Sequence, residues 1–63
     1  MQLRQARLDA GLTQIELAEA IGCSQSDISR LESGQRDITL ERLKAIAAVL
    51  GVPVAQLLAD EVA

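Results

Sequence analysis

The sequence predicts an all-α fold of five short helices, and three observations carry that prediction: regular stop signals, matching start signals, and no competing strand pattern. Gly11, Gly22, Gly34 and Gly51 each follow a stretch whose apolar residues recur at helical spacing. Glycine enters the left-handed conformation without a Cβ clash, so it commonly ends helices. Four stops imply at least four helices. Three of these stretches are preceded by a Ser or Thr suited to capping, and nowhere does a period-two alternation suggest a strand. The chain has 63 residues, 49% hydrophobic and 24% charged, a composition that folds rather than stays disordered. A chain this short hides only roughly 60% of the surface exposed by its unfolded form, so a single domain over residues 1–63 is expected.

The elements follow in order. Helix one is expected at about residues 2–9, closed by Gly11. Thr13-Gln14-Ile15-Glu16 has the form of a capping box, with Leu12 and Leu17 at the positions of a hydrophobic staple, and opens helix two at residues 14–21. Ser24-Gln25-Ser26-Asp27, with Cys23 and Ile28 as the staple, repeats the device more weakly and opens helix three at residues 25–33. The longest loop follows, from Gly34 to Thr39. Thr39, with Ile38 and Leu43, starts helix four at residues 40–50, and Pro53 suits the first turn of helix five at residues 53–59.

Composition excludes several function classes. No aromatic residue is present, so the stacking platforms that hold single-stranded nucleic acid are missing and duplex DNA stays open as a partner. With no His and one Cys, neither an intramolecular disulfide nor a His/Cys zinc cluster can be built; no metal and no cofactor are expected. Cys23 is read as a structural staple residue rather than a redox sensor. Glu16 and Asp27 both occupy capping positions, which accounts for them without acid/base chemistry, and no catalytic residue is expected. No apolar run approaches the roughly 18 residues of a membrane span, and the N-terminus lacks the apolar core of a secretory signal; a cytoplasmic location is expected. The net charge of −3 cuts against a polyanionic partner, which makes the placement of the charges decisive.

Helices two and three are joined only by Gly22-Cys23-Ser24, a linker suited to two steeply crossing helices. Ala18 supplies the small residue such a crossing needs, and Leu17, Ile21, Cys23, Ile28 and Leu31 supply apolar contacts around it. This is the pattern of a helix-turn-helix over about residues 14–33. Here the chain resembles the helix-turn-helix family of lambdoid phage repressors and Cro proteins, with their bacterial Xre-type relatives. The resemblance runs from Leu3-Arg4-Gln5-Ala6-Arg7 through Gly11-Leu12-Thr13-Gln14-Ile15-Glu16-Leu17-Ala18 and Gly22-Cys23-Ser24-Gln25-Ser26-Asp27-Ile28-Ser29-Arg30-Leu31-Glu32-Ser33-Gly34 to Leu43-Lys44-Ala45-Ile46-Ala47-Ala48-Val49-Leu50-Gly51-Val52. It implies a compact five-helix, lambda-repressor-like domain, encoded by a bacterium or phage, whose third helix enters the major groove of double-stranded DNA.

Geometry assigns the residues of that helix. With Ile28 and Leu31 turned to the core, a step of about 100° per residue puts Ser26, Ser29, Arg30 and Ser33 on the opposite face, with Gln25 at its edge. Any surface helix needs a polar face; within the full set of motifs these residues are read as DNA contacts. Arg pairs bidentately with guanine and Gln with adenine, so Arg30 and Gln25 are the leading base readers, and Ser26 and Ser29 contact bases or phosphates. The resemblance implies that Gln25, Ser26 and Arg30 face bases and that Gln14 grips a phosphate. Arg36, Ser33 and Arg4 are further phosphate candidates. Arg42 is as well explained by solvent exposure as by DNA, and Lys44 better so. The resemblance also assigns Arg7 and Glu32 to a structural salt bridge between helix one and the end of helix three.

Val52, Val54, Leu57, Leu58 and Val62 make the C-terminal segment more apolar than one helix end requires, so part of it is expected to face the core. Val54, Leu57 and Leu58 are read as a two-fold dimer patch, so that a homodimer would meet half-sites one helical turn apart. Two functional readings result: a sequence-specific transcriptional regulator, most simply a repressor on a palindromic operator, or an antitoxin-like module using the same fold to hold a protein partner. The acidic balance motivates the second.

Overall fold

A computed structural model of the chain describes residues 2–35 and 37–58. Among these, the regular structure is entirely helical: α1 (Leu3–Asp9), α2 (Gln14–Ile21), α3 (Gln25–Glu32), α4 (Leu40–Leu50) and α5 (Val54–Leu58). Helix starts are set by side chains. Thr13 Oγ1 accepts from the Glu16 amide at 3.0 Å while Glu16 Oε1 accepts from the Thr13 amide at 2.9 Å, so α2 carries a complete capping box. At α3 the same pair is looser, with Ser24 Oγ accepting from the Asp27 amide at 3.2 Å and Asp27 Oδ2 from the Ser24 amide at 3.4 Å, because Asp is one methylene shorter than Glu. At α4 Thr39 Oγ1 accepts from the Arg42 amide at 3.2 Å; Arg42 stands where the returning carboxylate would be.

Helices α1 to α4 end alike. The amide one residue beyond each glycine reaches back five residues: Leu12 to the Arg7 carbonyl at 3.2 Å, Cys23 to Ala18 at 2.9 Å, Gln35 to Arg30 at 2.9 Å and Val52 to Ala47 at 3.0 Å. This closure requires a left-handed residue between, and Gly22 and Gly51 supply it with φ of +77° and +70°. Leu12, Cys23 and Val52 then fold back against the core. The glycines therefore aim the next apolar residue inward as well as stopping the helix.

Helix boundaries differ from the expected ones by single residues. Gln2 and Ser33 flank α1 and α3 as caps. The Pro53 carbonyl accepts from the Gln56 amide at 3.0 Å, so Pro53 precedes α5, which begins at Val54; its expected end at Ala59 lies outside the described residues, as do Arg36 and Val62.

Every helix contributes to one core: Leu3 and Ala6 from α1, Leu17 and Ala18 from α2, Ile28 and Leu31 from α3, Leu43, Ile46, Ala47 and Leu50 from α4, and Leu57 from α5. α2 packs on both α3 and α4, α4 carries α5, and α1 rests on α3. The Gln2 amide donates to the Leu57 carbonyl at 2.9 Å, tying the start of α1 to α5. Burying each of the Leu and Ile side chains in this set contributes on the order of 1.5–3 kcal/mol.

One expectation is corrected here. Leu57, assigned with Val54 and Leu58 to an exposed dimer patch, is 0% exposed. A helix of five residues has little more than one inward position, and Leu57 fills it; Leu58 remains 55% exposed and Val54 half-buried. Among the described residues no helix is long and apolar enough to cross a membrane, and no group of three or more His, Cys, Asp or Glu is placed to hold a metal ion.

Candidate nucleic-acid interface

The turn Gly22-Cys23-Ser24 brings α3 across α2. Ile28 and Leu31 face inward and are nearly fully covered, which leaves Gln25, Ser26, Ser29, Arg30 and Ser33 exposed. This outer face divides into two rows. Gln25, Ser29 and Ser33, four residues apart, line an open concavity of about 820 Å³ bounded by α1, α2 and α3, together with Arg4, Arg7, Gln14 and Glu32. Ser26 and Arg30 form the neighbouring row, about 100° round the helix, and stand outside that concavity.

A continuous polar chain organises its floor. Arg7 is 7% exposed, and its side chain and that of Glu32 are enclosed together beside the core. Its Nε donates to Glu32 Oε2 at 2.5 Å and its Nη2 to Oε1 at 3.3 Å, while Nη1 donates to the Leu12 carbonyl at 2.8 Å. The pair is bidentate, and its third bond reaches the residue that closes α1. Glu32 Oε1 also accepts from Gln14 Nε2 at 3.0 Å, and Gln14 Oε1 accepts from Gln25 Nε2 at 3.3 Å.

The direction of this chain is dictated by chemistry. An ionised carboxylate only accepts, so the Gln14 amide must turn its nitrogen to Glu32 and its oxygen outward. That oxygen in turn draws the nitrogen of Gln25. Gln25 keeps one N–H and its Oε1 without a partner among the described residues, a coplanar donor and acceptor that match adenine N7 and N6. At the start of α2 the capping box uses the amides of Thr13 and Glu16; the first-turn amides of Gln14 and Ile15 have no acceptor within the helix, which favours an anion there.

Arg4 is exposed and lines the concavity. Ser33 is also there, and its Oγ donates to the Arg30 carbonyl at 3.1 Å; since a phosphate oxygen only accepts, Ser33 must rotate away from that carbonyl to donate to one. Arg36 lies outside the described residues. Arg42 lines a separate depression with Leu31, Asp37 and Thr39, away from the polar rows of α3. Two lining residues were missed by sequence reasoning, Leu8 and Ile15. Their signal was available: each is apolar yet out of phase with the inward stripe of its helix.

The helix-turn-helix family model matches residues 3–57. Over 60 residues the chain is 38% identical to the HTH-type transcriptional activator BcrR of Enterococcus faecalis, covering 95% of this chain and 29% of that protein. Over 59 residues it is 32% identical to the cryptic phage CTXphi transcriptional repressor RstR of Vibrio cholerae, covering 94% of this chain and 53% of that one. The chain thus spans about half or less of the length of these curated relatives. Among solved structures it resembles the clp gene regulator ClgR of Corynebacterium glutamicum, with a TM-score of 0.85 and 41% identity over 89% of this chain and 60% of the other. A second structure of that regulator gives a TM-score of 0.83 at the same identity, over 89% of this chain and 73% of the other.

Proposed function

The chain belongs to the helix-turn-helix family of phage repressor-like and Cro-like (Xre-type) domains, and from that premise we propose that it binds a specific double-stranded DNA site and regulates transcription there. The observation that carries this reading is the chain Arg7–Glu32–Gln14–Gln25. A buried ion pair fixes the amide of Gln14 at the start of α2, and Gln14 fixes the amide of Gln25 at the start of α3. Side chains oriented before binding lose less conformational entropy on binding. The second N–H of the Gln14 amide, the backbone amides at the start of α2 and Arg4 hold phosphates and set the register of α3, and phosphate contacts carry no sequence information. Gln25 and Arg30 read base edges in the major groove, and Ser26 and Ser29 contact bases or phosphates. Ser33 and Arg36 add phosphate contacts.

The simplest mode of action is repression: a homodimer occupying a palindromic operator and excluding polymerase. The exposed Leu58 beside half-buried Val54 supports an apolar two-fold contact through α5, now without Leu57. Selection of bound duplexes from a randomised pool tests this reading. A palindrome with half-sites one helical turn apart is expected, and enrichment of an unpaired half-site would remove the dimer. A second reading is favoured by the net charge of −3, which suits a protein partner better than a polyanion: an antitoxin-like module in which the same domain also holds another protein. Recovery of a stoichiometric protein from the native host, with no duplex enriched, would favour it.

A further inference from the structure

Two large apolar side chains stand beside the polar rows without serving the core. Leu8 and Ile15 are 51% and 53% exposed, and both line the concavity that contains Gln14 and Gln25. Neither lies on the inward stripe of its helix, since α1 buries Leu3, Ala6 and Arg7 and α2 buries Leu17 and Ala18. A single exposed aliphatic residue is ordinary on a small domain. Two on the walls of the concavity that Gln14 and Gln25 also line face whatever that concavity closes on.

Resting on the duplex-binding reading above, we infer that Leu8 and Ile15 form an apolar flank that packs against the deoxyribose edges of the strand whose phosphate Gln14 holds. Between successive phosphates a DNA strand offers the C–H faces of its sugars, the apolar part of an otherwise charged backbone. Ile15 directly follows Gln14 in the first turn of α2, and both line the same concavity. The charge distribution gives this contact its purpose. The net charge is −3, and Arg7, though it lines the concavity, is neutralised by Glu32. Among the described residues Arg4 is then the one unpaired cation lining the concavity, and such a face gains affinity from apolar burial, which releases no counterions. Because every nucleotide carries the same sugar, the gain is independent of sequence as well as of salt.

The test measures anisotropy of two labelled duplexes, one enriched by the wild-type chain from a random pool and one of mixed sequence, over a series of KCl concentrations. Ile15→Ala and Leu8→Ala are compared with Leu40→Ala, which truncates a residue 61% exposed on α4 and outside the concavity. Each of the first two is expected to raise Kd roughly three- to tenfold, by the same factor on both duplexes, with the log–log salt slope and the thermal midpoint unchanged; Leu40→Ala is expected to bind as wild type. The flank is overturned if Ile15→Ala and Leu8→Ala bind as wild type, if Leu40→Ala weakens binding equally, or if the loss is confined to the enriched duplex, which would put the contact on a base. Failure of the wild type to bind either duplex overturns the DNA reading itself, an outcome distinct from wild-type binding with unaffected variants.

Discussion

Replacing Glu32 by Ala removes the carboxylate on which both the scaffold and the candidate interface converge. The Arg7 and Glu32 side chains are 8% and 5% exposed, so the substitution leaves a guanidinium enclosed with only the Leu12 carbonyl still bonded to it. Removing one partner of a buried pair costs about 3–5 kcal/mol, because the remaining charge is uncompensated. A domain of this length has a total stability of about 3–9 kcal/mol, so Glu32→Ala is expected to remove about a third of it or more. Urea denaturation followed by circular dichroism measures this directly. The double substitution Arg7→Met with Glu32→Leu replaces both charges by apolar groups of similar volume and is expected to recover most of the loss, to within about 1–2 kcal/mol of wild type. A Glu32→Ala variant within about 1 kcal/mol of wild type would refute the assignment of this pair as a buried, structurally required contact.

Three further outcomes are expected. Gly22→Ala should cost about 1–2 kcal/mol, since φ is +77° and an added Cβ meets nothing within 4 Å; the penalty is conformational only and is read as a lower urea midpoint with the helical spectrum unchanged. Leu57→Ala should cost about 2–5 kcal/mol by opening a cavity in the core, whereas Leu58→Ala should leave stability within about 0.5 kcal/mol of wild type and lower the dimer fraction in sedimentation equilibrium. Gln14→Ala should weaken binding to enriched and mixed duplexes and also relax the preference at the base pair read by Gln25, because it removes the acceptor that orients the Gln25 amide; a loss without any change in preference would separate the two glutamines.

What was legible in the sequence was local. Thr13 with Glu16, Ser24 with Asp27, and the four glycines act within a few residues of themselves, so the starts of α2, α3 and α4 and the ends of α1 to α4 follow from chain chemistry alone. The inward set of α2, α3 and α4 follows from period, because two or more turns define a stripe. Helix α5 is too short for that, and nothing local separates Leu57, fully enclosed, from Leu58, half exposed. The link from Gln14 to Glu32 spans eighteen residues of sequence and exists because the crossing of α2 and α3 brings the first turn of one near the last turn of the other. Spacing holds no record of such a contact. The exposure of Leu8 and Ile15 was readable from their phase, but their place on one concavity needed the fold.

The most direct test of DNA recognition through α3 is a salt titration of duplex binding with wild type and Arg30→Ala in parallel. If a dimer neutralises on the order of six phosphates, log K should fall against log salt with a slope near about −5. Arg30→Ala should lose about 1–3 kcal/mol on the enriched duplex and relax the preference at one base pair per half-site. A slope near zero, or an Arg30→Ala variant indistinguishable from wild type in both affinity and preference, would contradict the reading of the exposed face of α3 as the surface that reads DNA.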